Sequence, residues 1–237
     1  MTEGSISGQD AFLDSITKRL GRETPERVER PAWSRSPQKQ VLAEEDQESL
    51  LQVLISHSAN IHTEVLTTTS GEAADVFSHA VDELGGGPVM FSRDERFEEC
   101  GLSTWMPPSS SKTEVHVWND KDGEGSMQKA RTANIGVSVA DMTLADSGTI
   151  VLLRNEGRGR AVSLLPENYI AIVPKSSLVP RMTQAARRLR AFSEAGDTFP
   201  SCVNFISGPS NSADIELRLV VGVHGPVRVF YIVLGDM

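Results

Sequence analysis

The sequence predicts an α/β fold in which helices cover both faces of a largely parallel sheet, a three-layer sandwich. Three observations carry this. Short apolar runs alternate along the chain with segments of helical period. Several of the runs, Tyr169-Ile-Ala-Ile-Val173 most clearly, are apolar at nearly every position, which suits strands covered on both sides rather than half-solvated ones. No internal repeat appears, and no low-complexity segment beyond Ser109-Ser110-Ser111, so solenoid and disordered-scaffold architectures are disfavoured.

Taken in order, residues 9–20 place Phe12, Leu13, Ile16 and Leu20 at helical spacing and give a short amphipathic helix. Residues 21–41 follow with Pro25, Pro31, Pro37 and five basic side chains, and read as an extended linker. The predicted division is therefore 1–41, helix and linker, and 42–237, one α/β domain. Within that domain Leu50, Val53, Leu54 and His57 mark a helix, and the β-branched stretch from Ile61 to Thr69 marks a strand. Thr69 with Glu72 has the spacing of a capping box, and Ala73, Val76, Phe77, Ala80, Val81 and Leu84 keep a 3.6-residue period until Gly85 to Gly87. Further strands are expected at Pro88–Phe91, Glu114–Trp118, Ile135–Ala140, Thr149–Leu153, Tyr169–Val173, Val203–Ile206 and Val229–Leu234. Met182, Ala185, Ala186, Leu189 and Phe192 line one side of another helix, with Arg187, Arg188 and Arg190 mostly off it.

Charge and cysteine usage narrow the function classes. With 237 residues the chain is long enough for a sizeable core, and its net charge of -9 removes the usual electrostatic drive for binding a phosphate backbone, so no nucleic-acid partner is expected. Cys100 and Cys202 are far apart and form no Cys-x-x-Cys pair, so neither a disulfide framework nor a zinc or iron–sulfur ligand set is expected, and no metal site is predicted. Cysteine usage fits a reducing, cytoplasmic compartment, and neither a signal peptide nor a membrane span is seen.

Three segments could carry chemistry. Ile206-Ser-Gly-Pro-Ser-Asn-Ser-Ala-Asp-Ile-Glu216 reads as a strand entering a Gly/Ser/Asn turn and then a helix. Gly208 would allow close backbone approach, and Ser210 and Ser212 would offer hydroxyls beside the free N–H groups of that helix, which favour a carboxylate or phosphate; the same residues also serve as ordinary helix caps. In Ala140-Asp-Met-Thr-Leu-Ala-Asp-Ser-Gly-Thr149, Asp146 is a candidate acid, base or nucleophile, against the alternative of a turn carboxylate bonded to its own backbone. His224, framed by glycine and proline in Gly222-Val-His-Gly-Pro226, is either a displayed site residue or a structural one. Arg160, in Glu156-Gly-Arg-Gly-Arg160, could clamp an anion bidentately or simply be solvated. Dinucleotide and phosphate-loop fingerprints are absent.

The series Gly136-Val137, Ala140-Asp141, Ala145-Asp-Ser-Gly-Thr149, Arg160 with Ser163-Leu-Leu-Pro166, Ile206-Ser-Gly-Pro-Ser210, Ala213-Asp-Ile-Glu216 and Gly222-Val-His-Gly-Pro226 resembles the LUD (lactate utilisation) family in order and spacing. The match is strongest over the C-terminal half, and the short, cysteine-poor chain is similar to the smaller members rather than to the larger, ferredoxin-bearing one. The resemblance implies a fold like that of the sugar-phosphate isomerase and CoA-transferase superfamily. It also implies a role beside two iron–sulfur proteins that oxidise L-lactate to pyruvate, with the clusters in those partner subunits and no cofactor bound by this chain. The candidate site is then Asp146 and His224 as catalytic residues, with Ser147, Gly148, Thr149, Arg160, Gly208, Ser210, Asp214, Glu216 and Gly225 binding a small carboxylate or phosphate. Two departures stand out. Asp146-Ser147-Gly148 replaces the family's usual Glu-Thr-Gly, and Ser210-Asn-Ser-Ala-Asp214 replaces Ser-Arg-Thr-Ala-Asp, so an anion would need Arg160 or backbone donors. The expected function is a non-redox subunit of the lactate-oxidising complex. The alternatives are an independent transferase or isomerase using Asp146, and a structural adaptor that docks through the N-terminal helix.

Overall fold

The computed structural model of the chain describes residues 7–22, 31–106, 113–154, 157–196, 199–215 and 218–237, with the side chains of 193, 213–215 and 218 outside the description. The chain divides into two compact units, 1–36 and 37–237. The first contains the expected helix, α1 (Gln9–Arg19). Its apolar stripe of Phe12, Leu13, Ile16 and Leu20 is exposed, Phe12 at 65% and Leu20 at 61%.

The second unit begins with α2 (Gln47–Ser58), capped by the Asp46 carboxylate accepting from the Ser49 N–H at 2.8 Å. There follow β1 (Thr63–Thr68), α3 (Ala73–Glu83), β2 (Val89–Phe91), α4 (Arg96–Glu99), β3 (Val115–Val117) and α5 (Gly123–Thr132). Next come β4 (Ile135–Val139), β5 (Met142–Leu144), β6 (Thr149–Leu153), α6 (Ala161–Leu164), β7 (Asn168–Pro174) and β8 (Leu178–Val179). The chain ends with α7 (Met182–Glu194), β9 (Val203–Ser207), β10 (Asn211–Ile215), β11 (Arg218–Val221) and β12 (Arg228–Leu234).

Six strands form one wholly parallel sheet in the order β1-β12-β7-β4-β2-β3. The period-two pleat sends alternate residues to opposite faces. Val89, Phe91, Ile135, Val137, Ile170, Ile172, Phe230 and Ile232 pack against Ala73, Phe77 and Ala80 of α3 and Phe97 of α4. On the other face Tyr169, Ala171, Val229, Tyr231 and Val233 meet Leu50, Leu51 and Leu54 of α2.

That second face is only partly helical, which departs from the expected three layers. A four-stranded mixed sheet, β8-β5-β6-β9, covers part of it. Its Ile150 and Leu178 join the α2 cluster, while Met142, Leu144, Val151 and Leu153 point outward to Ala185 and Leu189 of α7. Thr149–Leu153 reads as a doubly covered strand because it is one, in the smaller sheet rather than the larger. Near β2 and β4 the same face is closed by α5 and α6, through Met90, Trp118, Ala130, Ala161 and Val162.

Two local expectations fail. Thr69 and Glu72 form no capping box: α3 starts after Glu72 with no side-chain cap, and Thr69 only accepts the Glu72 N–H through its carbonyl. The helix expected after Ser210 is instead an antiparallel hairpin, β10 with β11, pairing Asn211 with Val221 and Ser212 with Val220. Ile215, Leu217, Leu219 and Val221 recur every second residue, a strand period that the Ser/Asn capping signal masked.

Candidate functional site: an arginine-lined cleft at the sheet's switch point

In a parallel sheet, ligands bind beyond the carboxyl ends of neighbouring strands whose onward connections run in opposite directions. Here β2 leads outward to β3, whereas its neighbour β4 leads the other way to β7. A cleft opens at that point. Ser92, immediately after β2, and Ser138 near the end of β4 supply its floor, and Arg154, Arg158 and Arg160 come from the segment between β6 and α6.

That segment is pinned from behind. Asp120 accepts the Trp118 indole N–H at 2.7 Å through Oδ1 and the Gly157 N–H through Oδ2, and the Arg93 N–H donates to the Gly157 carbonyl at 3.0 Å. The Trp118 bond first, aided by Gly157, holds the Asp120 carboxyl below its ordinary value. Gly159 lies so close to the Trp118 ring that a Cβ there would come within 2.2 Å of it. Only glycine fits at that position without moving the indole.

At the inner wall two acids and two arginines form a closed cluster. Asp94, with its side chain 2% exposed, contacts Arg96 at 2.7 Å and Arg158 at 2.9 Å; Asp141 contacts the same two guanidiniums at 3.0 and 2.9 Å. Asp141 also accepts the Leu153 N–H at 2.7 Å. Burial opposes the Arg96 charge, but Asp94 and Asp141 outweigh it and raise its pKa. Arg154 and Arg160, both exposed, have no carboxylate within ion-pair distance among the described residues. On the floor Ser138 Oγ shares a short hydrogen bond with the buried Tyr169 hydroxyl. Ser92 is only 3% exposed, and its hydroxyl has no partner among the described residues.

Of the sequence candidates, Arg160 alone lines this cleft. The other candidates among the described residues fall in two further places. Asp146 accepts from Arg181 Nε at 2.6 Å, and Ser147, Thr149 and Ser207 form a hydroxyl chain beside it at 2.9 and 2.7 Å. The Gly148 carbonyl accepts from Tyr231 at 2.8 Å, and the Gly208 N–H reaches the same phenol at 3.5 Å, tying the β5–β6 turn to the end of β9. Gly208 has φ 64°, and a Cβ there would meet the Ile61 carbonyl at 2.3 Å, so its role in this fold is close backbone packing. Ser210, His224 and Gly225 lie together, with Ser210 Oγ accepting the His224 N–H at 3.3 Å. His224 and Gly225 line an open depression with Arg131, Asn134 and Glu167, at the amino ends of β4 and β7 and so opposite the switch point. The Asp214 side chain and Glu216 lie outside the described residues.

Sequence reasoning passed over Ser92, Asp94, Arg96, Arg154 and Arg158, and met Asp141 in the Ala140–Thr149 segment but preferred Asp146 there. The available signals were the charged run Ser92-Arg-Asp-Glu-Arg96 directly after an apolar strand, and three arginines within seven residues at 154–160. Among the described residues no three His, Cys, Asp or Glu side chains gather as a metal set, and no helix is long and apolar enough to cross a membrane.

Comparison with known proteins places this geometry in a family. The chain is 49% identical to lactate utilization protein C of Geobacillus kaustophilus and 47% identical to that of Bacillus subtilis, each over 100% of both chains. It is 44% identical to lactate utilization protein C of Macrococcus caseolyticus, again over the full length of both. The crystal structure of a DUF162 family protein from Deinococcus radiodurans superposes with a TM-score of 0.58 over 80% of this chain and 99% of that one, at 19% identity, so the fold is shared. The family model of the LUD domain matches residues 51–234, from α2 through the last residue of β12, and the chain therefore belongs to the LUD domain family.

Proposed function

We propose that this chain is a non-redox subunit of an L-lactate-oxidising system, acting beside iron–sulfur partner subunits, and that it holds a small anion in the switch-point cleft. Full-length similarity to proteins named lactate utilization protein C supports the pathway. Turning lactate into pyruvate removes two electrons, and a sequence with two distant cysteines and no flavin or nicotinamide fingerprint suits a binding or positioning role, with the electrons passing to partners. The observation that carries the anion site is the sharing of one cleft by Arg154 and Arg160, which have no carboxylate within ion-pair distance among the described residues, and by Ser92, whose buried hydroxyl has no partner among them. The wider fold relationship we infer is to the sugar-phosphate isomerase and CoA-transferase superfamily. An independent transferase working through Asp146 has less support, because that carboxylate is engaged by Arg181.

Deleting the gene for this chain in its own host is expected to abolish growth on L-lactate as sole carbon source while sparing growth on pyruvate. Wild-type protein should restore growth, and the Arg154→Ala/Arg160→Ala double variant should restore it poorly at equal expression. Undiminished growth of the deletion strain on lactate would refute the pathway role. Full rescue by the double variant would point to an adaptor without a working cleft.

A further inference from the structure

Resting on the reading of the cleft as an anion site, we infer that its ligand is a dianionic, tetrahedral oxyanion, the phosphoryl group of a small phosphorylated compound, rather than the carboxylate of lactate. Charge is the first reason. Asp94 and Asp141 are each bound by both Arg96 and Arg158, two acids against two cations. Arg154 and Arg160 are left without an acid in ion-pair distance among the described residues. Asp120 keeps its charge, since it accepts only from the neutral N–H groups of Trp118 and Gly157, and it acts on Arg93 as well as Arg154, so with Arg160 three cations face one acid. Two cations in excess match a dianion, whereas a monocarboxylate would answer only one of them.

Geometry is the second reason. The free donors come from three separate elements: Ser92 from the end of β2, Arg154 from the end of β6, and Arg160 from the start of α6. Donors from three separate elements in one lining suit three terminal oxygens on a tetrahedral centre better than two oxygens in one plane. Ser92 singles out the floor. A hydroxyl buried this deeply without a partner is costly, and a ligand oxygen above it removes that cost. Arg154 and Arg160 are exposed at the cleft, so a phosphate ester can bring its phosphoryl group to them from solvent and leave the rest of the molecule outside.

The test is isothermal titration of the full chain, in buffer free of phosphate, with inorganic phosphate, glycerol 3-phosphate, L-lactate and pyruvate. Phosphate and its ester should bind at least about tenfold more tightly than either carboxylate, and tighter binding of the ester than of the free ion would identify an organic phosphate as the source. Affinity should rise from pH 5.5 to 7.5 as the second phosphate proton, with a pKa of about 6, is lost. The Arg154→Ala/Arg160→Ala variant should lose about tenfold or more and Ser92→Ala about threefold to tenfold, while Arg190→Ala, on the exposed side of α7, changes nothing. Tighter binding of lactate or pyruvate than of phosphate overturns this inference and leaves the anion-site reading standing. Failure of all four anions to bind at millimolar concentration overturns both. Phosphate binding that the Arg154, Arg160 and Ser92 variants leave intact places the ion elsewhere and overturns the inference as well.

Discussion

Arg158 and Arg160 owe their positions to a carboxylate that sits behind them. Asp120 joins Trp118 to Gly157, and through those two residues it fixes the backbone on which both guanidiniums are carried. Its pKa is lowered in the folded chain, so the stabilisation it provides is complete above the unfolded value of about 4 and is lost as pH falls through the lowered one. Asp120→Asn keeps one acceptor oxygen and sets an amide donor against a second N–H. The expected cost is about 1–2 kcal/mol, a fall in Tm of roughly 2–8 °C, together with weaker phosphate binding. The gap in stability between wild type and variant should be constant from pH 5 to 8 and close below about pH 4. Thermal unfolding from pH 8 down to pH 3 checks this, and a gap as large at pH 3 as at pH 7 would rule out a charge-based anchor. Residues buried on the two faces of the sheet titrate outside any working range: burial pushes the Tyr231 phenol on the α2 face up to about 12 and the Cys100 thiol on the α3 face up to about 11, so both stay protonated.

Among the elements, α6 and β4 share the closest approach near the cleft. A Cβ on Gly136 would lie 1.9 Å from the Val162 carbonyl and 3.0 Å from the Pro166 ring, so the short helix rests directly on the strand's backbone. Gly136→Ala must lift α6, and with it Arg160 at its first turn. The expected loss is about 1–3 kcal/mol with a marked fall in phosphate affinity, and unchanged Tm and titration would show that the strand yields instead. This scale also explains what could be read from the sequence. The strands of the main sheet were legible because covered parallel strands are continuously apolar, and α3 and α7 because their periods run over three turns. β5 and β8 have three and two residues, too few for any period to show. The hairpin was hidden by serine and asparagine residues that suit a helix start and a turn equally well. In the cleft, Arg160 could be suspected from its local charge, but Arg96 meets Asp141 across 45 positions, a contact made only by the pairing of β2 with β4. Asp146 looked available for the same reason, since its partner Arg181 lies 35 positions away.

At the scale of the whole molecule, the two compact units differ in how their apolar groups are accommodated. The 37–237 unit has four buried clusters built from its own helices and sheets, enough to fold around. The 1–36 unit presents Phe12, Leu13, Ile16 and Leu20 to solvent along one side of α1. Each such side chain gains about 1.5–3 kcal/mol when fully buried, so the stripe is suited to association. Removing residues 1–36 is therefore expected to leave the Tm of the remaining chain within a few degrees of the full-length value, and phosphate titration unchanged. The same truncation should alter the elution volume in size-exclusion chromatography or abolish co-purification with the iron–sulfur subunits proposed as its partners. A large fall in Tm would mean that α1 belongs to the core rather than to an interface. If elution and co-purification were both unaffected, the apolar stripe would have no role in assembly.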